Sequence, residues 1–571
     1  MKKYDPLKIC KEEVINSLDS ALKGLGYNEA ELKLETPPEE KGDIALSCFA
    51  LAKVAKKAPQ EIAQEIAGTI VLKGNIEKCE NDGPYVNFYI NKQKLAEITL
   101  EAVLGLGDDY GESQPIGKKI ILEHTSANPT DKLHIGRARN PIIGDTLARI
   151  LKKAGFDVET QFYVDDMGKQ AVTLSYGIKM WDTKPPDDDS LGPYQYGSKL
   201  SNTSSGAEAI KDMLQKLEKG DPETSEKVRK DTKMVMDKDI TLSLSKINVE
   251  VDRYVHESQF VQDGSVEKVI DALKKSNYCE NEEGAFYIDL EPLSGKKAKF
   301  FFTRSDGTSL YATRDIAYHL WKFEHCDEAI NILGEDHKLE SEQVKVGLKI
   351  LDLDKSPEVI FYSFVSLPEG RMSTRKGRVV FLDDLIAEAV ERAKNEVIKR
   401  REDLPEQDIQ EIAKMVAIGA IRYNIVGVQP EKKIVFKWEE ALNFEGNSAP
   451  FIQYAYARAS SILKKAEELG LKEYDDYDPS LLDHPSEFNL IKEMARFPET
   501  IAECAKRRSP HLLAAYSFGF ASMFNQFYRD CPVLGCDDDA IRIVRLALVA
   551  AAKTVLHNSL FCLGIEAPQK M

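Results

Sequence analysis

Four short apolar runs constrain this chain more than any other feature: KIILEH (119–124), VETQFYV (158–164), EAINILG (328–334) and EVIFYSFV (358–365). Each has the length of a strand, and helical stretches separate them. The spacing predicts one such helix over about 136–154, closed by Gly155. Strands joined through helices build a parallel, doubly wound α/β sheet of the Rossmann type, because parallel neighbours need a crossover. A polar interruption at about 180–295 carries loop-like TKPPDDDSLGP and SNTSSG followed by charged helices. It reads as an insertion into the sheet domain.

A chain of 571 residues exceeds one hydrophobic core, so further domains are expected. Residues 5–24 have apolar residues at helical spacing, 43–72 read as a second helical region, and PYVNFYIN (84–91) alternates like a strand. This is a small α+β unit ending near 105, followed by a Gly/Asp/Pro-rich linker at 104–119. From about 380 onward the chain reads as helical, and 437–571 as a helical bundle. The expected division is 1–105, 115–180 with 296–378, an insertion at 181–295, a helical region at 379–436, and 437–571.

Apolar content of 43% and charged content of 30% are those of a soluble globular protein. The balance of 77 basic against 94 acidic residues gives −17, which excludes a generally basic nucleic-acid coat but not a local basic face. Of nine cysteines only Cys531 and Cys536 lie close together, without a second pair, so no zinc is expected and a reducing compartment fits. The start, MKKYDPLKICKEEV, lacks a signal-peptide core, and no run approaches about 18 apolar residues. A cytoplasmic protein without a membrane span is expected.

DKLHIGRARN (131–140) stands where the first strand hands over to its helix. In open α/β sheets ligands bind beyond the strand carboxyl ends, at helix N-termini that favour phosphate. Gly136 lets a ring or phosphate approach the backbone, His134 can donate to phosphate oxygen, and Arg137 and Arg139 add fixed charge. Neither GxxxxGK[ST] nor GxGxxG is present, and this stretch alone suits a solvated helix start equally well. A second stretch, SLPEGRMSTRKGR (366–378), follows the last strand and carries Arg371, Arg375, Lys376 and Arg378. A basic loop beside a sheet suits the clamping of polyphosphate.

Together the two stretches resemble the HIGH and KMSKS signatures of class I aminoacyl-tRNA synthetases, with HIGR and MSTRKG in the two positions. The longer LEHTSANPTDKLHIGRARNPIIGDTLARILKKAGFDVETQFYVDDMGKQ (122–170) resembles the catalytic core of archaeal-type arginyl-tRNA synthetases. LYATRDIAYHL (310–320), EGNSAPFIQYAYAR (445–458), FNQFYRDCPVL (524–534) and GIEAPQKM (564–571) are similar to that family too. The resemblance covers nearly the whole chain and is weakest in the insertion.

It implies an enzyme, an arginine–tRNA ligase. Arginine's carboxylate attacks the α-phosphate of ATP, present with Mg2+, to give arginyl-adenylate and pyrophosphate. The arginyl group then passes to the terminal adenosine of tRNA(Arg). By resemblance Glu123 and Asn128 hold the amino and carboxyl groups of arginine. His134, Gly136, Arg137, Met372, Ser373 and Thr374 face ATP. Tyr311 and Asp315, at i and i+4 on one helix face, match the guanidinium pocket, and a carboxylate suits a planar guanidinium. Asp336 and His337 stand just past a strand end, where the family has a polar side chain near the substrate.

Two positions depart from the family pattern. Arg137 replaces the last His of HIGH, and the second KMSKS lysine is missing. In relatives with such a loop a lysine just before HIGH compensates; here Asp131 aligns and Lys132 is its neighbour. The expectation is that Arg375 or Lys376, with Lys132, neutralises the leaving pyrophosphate.

For tRNA, the resemblance makes 1–105 the domain that contacts the tRNA elbow through its D-loop, 379–436 a stem-contact region and 437–571 the anticodon-binding domain. Asp82, Tyr85 and Asn87 could read an exposed base, and a strand-buried tyrosine is the equal alternative. Tyr454 and Tyr456 are two apart, so at most one meets RNA beside Arg458. Phe527, Tyr528 and Arg529 pose the same choice between base platform and core; Phe527 and Met571 are carried as RNA contacts. KRRSPH (506–511) and KKAEE (464–468) are candidate basic surfaces, and tRNA binding should weaken with salt. A monomer is expected. The competing readings are a non-catalytic tRNA-binding paralogue and a class I synthetase for another basic amino acid.

Overall fold

The structure is a computed structural model that describes residues 5–27, 32–130, 132–186, 192–366, 381–471 and 476–571. At its centre five strands form one sheet: β1 (Lys119–Glu123), β2 (Asp157–Val164), β3 (Arg253–His256), β4 (Glu328–Gly334) and β5 (Glu358–Tyr362). Their order is β5-β4-β1-β2-β3, and every pairing is parallel. Ile120, Ile121 and Leu122 of β1 are fully buried, as a central strand covered on both faces requires. Chain order reverses between β1 and β4, where Glu123 pairs with Asn331. A crevice opens beyond the carboxyl ends at such a switch point.

Four strands coincide with the four apolar runs. The fifth, β3, lies inside the 181–295 stretch read as an insertion, so that reading needs correction. β3 is a four-residue edge strand, RYVH, with only Val255 buried, too short and too polar to announce itself. The stretch otherwise contains the helices Pro193–Leu200, Ser204–Glu218 and Pro222–Val235, and two strands of a small antiparallel sheet, Cys279–Glu282 and Ala285–Asp289.

A four-stranded antiparallel sheet with helices makes the N-terminal unit. Within the 43–72 region read as helical, Ile44–Ser47 is a strand, followed by helices Phe49–Ala55 and Pro59–Thr69. Residues 104–119 are no free linker either. The helix Lys92–Leu106 runs into them, and Tyr110 is buried against the C-terminal helices. Its hydroxyl donates to the Met494 carbonyl at 2.9 Å, and its ring stacks on Phe497.

The 3-10 turn Ile135–Arg137 leads into the helix Arg139–Lys153, which is buried along most of its length between sheet and C-terminal helices. Fully buried Arg422, on helix Glu406–Val426, donates to Asp145 of that helix at 2.5 Å and to the carbonyls of Ile247 and Leu563. One guanidinium thus ties three parts of the chain together, its charge matched by a carboxylate and its remaining N–H groups by carbonyls. Beyond it the C-terminal bundle comprises Ala449–Glu468, Pro485–Ala495, Phe497–Lys506, Pro510–Asp530 and Asp539–Cys562. Among the described residues no helix is long and apolar enough to cross a membrane, and no group of three metal-ligating side chains is present.

Candidate active site

A cleft of about 340 Å³ lies beyond the carboxyl ends of β1 and β4. It collects Glu123, Asn128, Arg137, Tyr311, Asp315 and His337, which come from four separate segments of the chain. The chain leaves β1 through Thr125 and Ser126, both at positive φ (70° and 35°), a conformation that non-glycine residues hold only when neighbours enforce it. Here Asn140 enforces it: its side-chain oxygen accepts from the Thr125 N–H at 2.7 Å, and its amide donates to the Ile332 carbonyl on β4. The bend sets Ser126 Oγ 2.8 Å from Glu123 Oε1. Asn128 donates to Gln170 Oε1 at 2.6 Å.

The opposite wall is the helix Tyr311–His325. Asp315 faces the cleft one turn along from Tyr311, as their spacing predicts. Burial raises the Asp315 pKa, but His319, Lys322 and His337 outweigh it and hold the carboxyl below its ordinary value. Tyr311 has its hydroxyl beside Asp165, and the space is tight: a Cβ on Gly168 would lie 2.8 Å from Tyr311 Oη and 3.1 Å from Asp165 Oδ1. Behind Tyr311, Arg314 sits 5.0 Å from its ring centroid, with Arg314 Nε 2.9 Å from Glu257 Oε1. Burial pushes the Glu257 carboxyl well above the carboxylate range, against the pull of Arg314.

The third side is basic. His134 caps the 3-10 turn, its Nδ1 accepting from the Gly136 N–H at 2.9 Å. That leaves Nε2 as the outward donor. Partial burial and the neighbouring Arg137 charge hold the ring below its ordinary pKa. Gly136 and Gly334, on the two strand-to-helix turns, both lie against Phe364: an added Cβ would be 4.0 Å and 3.3 Å from its ring. His337 Nδ1 donates to Glu340 Oε2 at 2.8 Å, and that bond raises its pKa.

Both flanks of the second signature lie against the first. Val365–Ser366 pairs with Ile434–Val435, Phe381 bridges to His134, and the Leu382 N–H donates to the Leu133 carbonyl at 2.8 Å. The signature residues Arg371, Met372, Ser373, Thr374, Arg375, Lys376 and Arg378 lie outside the described residues, as does Asp131. Lys132 is exposed beside the first signature, and its charge reaches Asp383.

A second cleft, of about 520 Å³, opens on the C-terminal bundle and is lined by Arg401, Phe451, Tyr454, Arg458 and Met571. Arg458 lies between two rings, 4.7 Å from Tyr454 and 5.0 Å from Tyr528. Tyr456 is 4% exposed and accepts from Gln569, so of the tyrosine pair only Tyr454 faces outward. Phe527 is fully buried in the core against Phe524, whereas Tyr528 is 44% exposed. Phe527 is therefore a core residue and no RNA contact; the outward side chain is Tyr528, one helix position on. Arg508, in the basic stretch 506–511, offers no open basic surface either, because it clamps Glu328 and Glu358 at 2.8 and 3.1 Å. In the N-terminal unit Tyr85 is 37% exposed and packs edge-on against Phe49, Asp82 pairs with Lys41, and Asn87 is nearly covered.

Residues 99–438 match the family model of the class I tRNA synthetase catalytic domain specific to arginine, "tRNA synthetases class I (R)". The chain belongs to the arginyl-tRNA synthetase family. Its flanks agree: 11–90 match the arginyl-tRNA synthetase N-terminal domain and 452–571 the DALR anticodon-binding domain. The arginine–tRNA ligase of Methanocella arvoryzae is 45% identical over 98% of this chain and 99% of its own length. That of Methanocaldococcus jannaschii is 41% identical over 98% and 100%. The arginyl-tRNA synthetase of Thermus thermophilus has the same fold with a TM-score of 0.80, at 29% identity over 97% of this chain and 99% of that one.

Asp165, Gln170 and Glu257 line this synthetase cleft, with buried Arg314 behind Tyr311, and none of the four is among the site residues read from sequence. Asp165 and Gln170 stand in the family-like VDDMGKQ segment, which is the signal that could have found them. Glu257 directly follows the unrecognised strand β3, so nothing local marked it.

Proposed function

We propose that the chain is an arginine–tRNA ligase that forms arginyl-adenylate and pyrophosphate from arginine and ATP, then charges tRNA(Arg). One observation carries this reading. Asp315 and Arg137 line the same cleft, so it offers an acid for a guanidinium at one wall and a fixed cation for phosphate at another. With the guanidinium on Asp315 and Tyr311, Glu123 takes the α-ammonium and Asn128 the carboxylate. The carboxylate oxygen then attacks the α-phosphorus as the bond to pyrophosphate breaks. No protein nucleophile is needed; the rate comes from alignment and from charge placed where the phosphates develop it.

His134 Nε2 and Arg137 are read as the phosphate contacts. Lys132 with Arg375 and Lys376 is read as the clamp on the leaving pyrophosphate. Mg2+ is assigned to the ATP phosphates, its ordinary partners, where it would neutralise their charge. In the second step the terminal adenosine hydroxyl of tRNA attacks the arginyl carbonyl and AMP leaves. Tyr454, Arg458 and Met571 offer a base platform for the anticodon loop, and Asp82 and Tyr85 one for the D-loop; Asn87, buried in its strand, takes no part in it. The protein is read as a cytoplasmic monomer.

Charging of tRNA with each of the twenty amino acids tests the reading. Arginine alone should be attached. Charging with lysine in its place would make the chain a synthetase for another basic amino acid. Retained tRNA affinity without charging would make it a non-catalytic paralogue.

A further inference from the structure

Along the floor of the cleft, where Asn331 is part of the lining, a line of buried polar side chains joins two of its carboxylates, Glu123 and Asp315. Lys322, fully buried, donates to Glu123 Oε2 at 2.5 Å and to Asn331 Oδ1 at 2.9 Å. Its Nζ lies 4.1 Å from the Tyr318 ring centroid. Asn331 Nδ2 lies 2.7 Å from His319 Nε2. His319 Nδ1 lies 2.8 Å from the Asp315 carbonyl oxygen and 3.2 Å from its carboxylate Oδ1. His319 is 1% exposed and Asn331 4%.

These bonds fix one another's direction. An ammonium only donates, so Asn331 must turn its oxygen to Lys322 and its NH2 to His319. Nε2 of His319 then accepts, and the ring proton resides on Nδ1, shared between the Asp315 carbonyl oxygen at 2.8 Å and carboxylate Oδ1 at 3.2 Å. Reversing the amide would set its NH2 against the Lys322 ammonium, donor against donor, in a buried site where an unmade bond is costly.

We propose that Lys322, Asn331 and His319 form a one-way hydrogen-bond relay of positioning residues that fixes the orientation of the Asp315 carboxylate for a planar guanidinium while holding Glu123 for the α-ammonium. The proposal rests on the reading of arginine as substrate. His319 and Lys322 do not line the cleft and act only through the two acids. Orientation matters at Asp315 because a fork of parallel N–H donors meets a carboxylate well only when the two are coplanar. Glu123 is held at both oxygens, by Lys322 at one and Ser126 at the other. The relay therefore sets both ends of the pocket against a single buried ammonium.

The test is steady-state arginylation of tRNA by the full chain, with KM measured separately for arginine and for ATP. In His319→Gln no donor stands at the Nδ1 position, and the KM for arginine should rise at least tenfold while that for ATP stays within twofold. In His319→Asn the amide nitrogen stands where Nδ1 stood, and the KM for arginine should stay within threefold of wild type. Equal arginine KM values in the two His319 variants, or a parallel rise in both KM values, would overturn the relay. If the His319 variants do not fold, the imidazole 15N shifts of His319 in the wild-type chain decide: Nδ1 should carry the proton and Nε2 none, and the reverse tautomer would overturn the relay. A wild-type chain that does not charge arginine would instead refute the underlying reading.

Discussion

The guanidinium of Arg139 donates to the carbonyl of Ser363 at 2.8 Å, and so joins the first turn of the helix after HIGR to the end of β5. It also donates to the carbonyls of Lys432 at 2.6 Å and Gln429 at 2.7 Å, and is fully buried. Three segments meet on one side chain: the ATP-facing turn, the approach to the second signature, and the turn before Ile434–Val435. Burial pushes its pKa down to about 10, so the charge is kept at neutral pH.

Arg139→Lys should therefore be costly although it keeps the charge. An ammonium cannot reach carbonyls that a planar fork spans, and each buried carbonyl left unpaired costs about 1–3 kcal/mol. We expect a fall in thermal unfolding temperature together with at least a tenfold lower adenylate-forming rate. Wild-type values for both would show that the hub is dispensable.

Gly168→Ala tests the wall of the amino-acid pocket. The new Cβ would lie 2.8 Å from Tyr311 Oη, inside any normal contact, so the tyrosine must move off its position beside Asp165. The KM for arginine should rise about tenfold, the loss of roughly one charge-assisted hydrogen bond. The KM for ATP should not change.

His124 makes stability depend on acid. Its ring is fully buried, and burial, offset in part by Asp145 and Glu123, lowers its pKa from 6.5 to about 4. Between those values the unfolded chain binds a proton that the folded chain does not. Stability therefore falls as pH drops through that window, by about 3 kcal/mol at most, and loses nothing further from this group below it. Urea midpoints of wild type and His124→Gln, compared from pH 7 to pH 4, should show the shallower slope in the variant. Parallel slopes would remove His124 as the cause.

The second signature is tested by Lys132→Ala and Lys376→Ala. A cation on the leaving pyrophosphate should be worth a few kcal/mol, roughly a hundredfold in the adenylate-forming rate. If both single variants stay within about threefold of wild type in a rapid-quench assay, the clamp lies elsewhere.

What the chain reveals by inspection follows from the length of each signal. The strands β1, β4 and β5 carry apolar runs, and β2 sets Val158, Phe162, Tyr163 and Val164 among polar residues, so all four could be read directly; the i, i+4 spacing of Tyr311 and Asp315 places them on one face of one helix. β3 could not be read, because a four-residue edge strand with one buried side chain has no periodicity to detect. Glu257 was hidden with it. The relay residues His319 and Lys322 looked like ordinary polar positions of an amphipathic helix, and only the fold turns them inward beneath Asp315 and Glu123. Phe527 and Tyr528 show the limit of composition: adjacent aromatic residues, one fully buried and the other 44% exposed, differ only in which way the helix faces.

The most direct measurement of the central claim is a calorimetric binding isotherm of the full chain with arginine, repeated with citrulline. Citrulline keeps the length and shape of arginine but replaces the charged guanidinium with a neutral ureido group. If Asp315 reads a guanidinium, arginine should bind at least a hundredfold more tightly, since the half-buried carboxylate loses its charge-assisted pair with citrulline. Equal affinity for the two, or no binding of arginine, would contradict the assignment of this cleft.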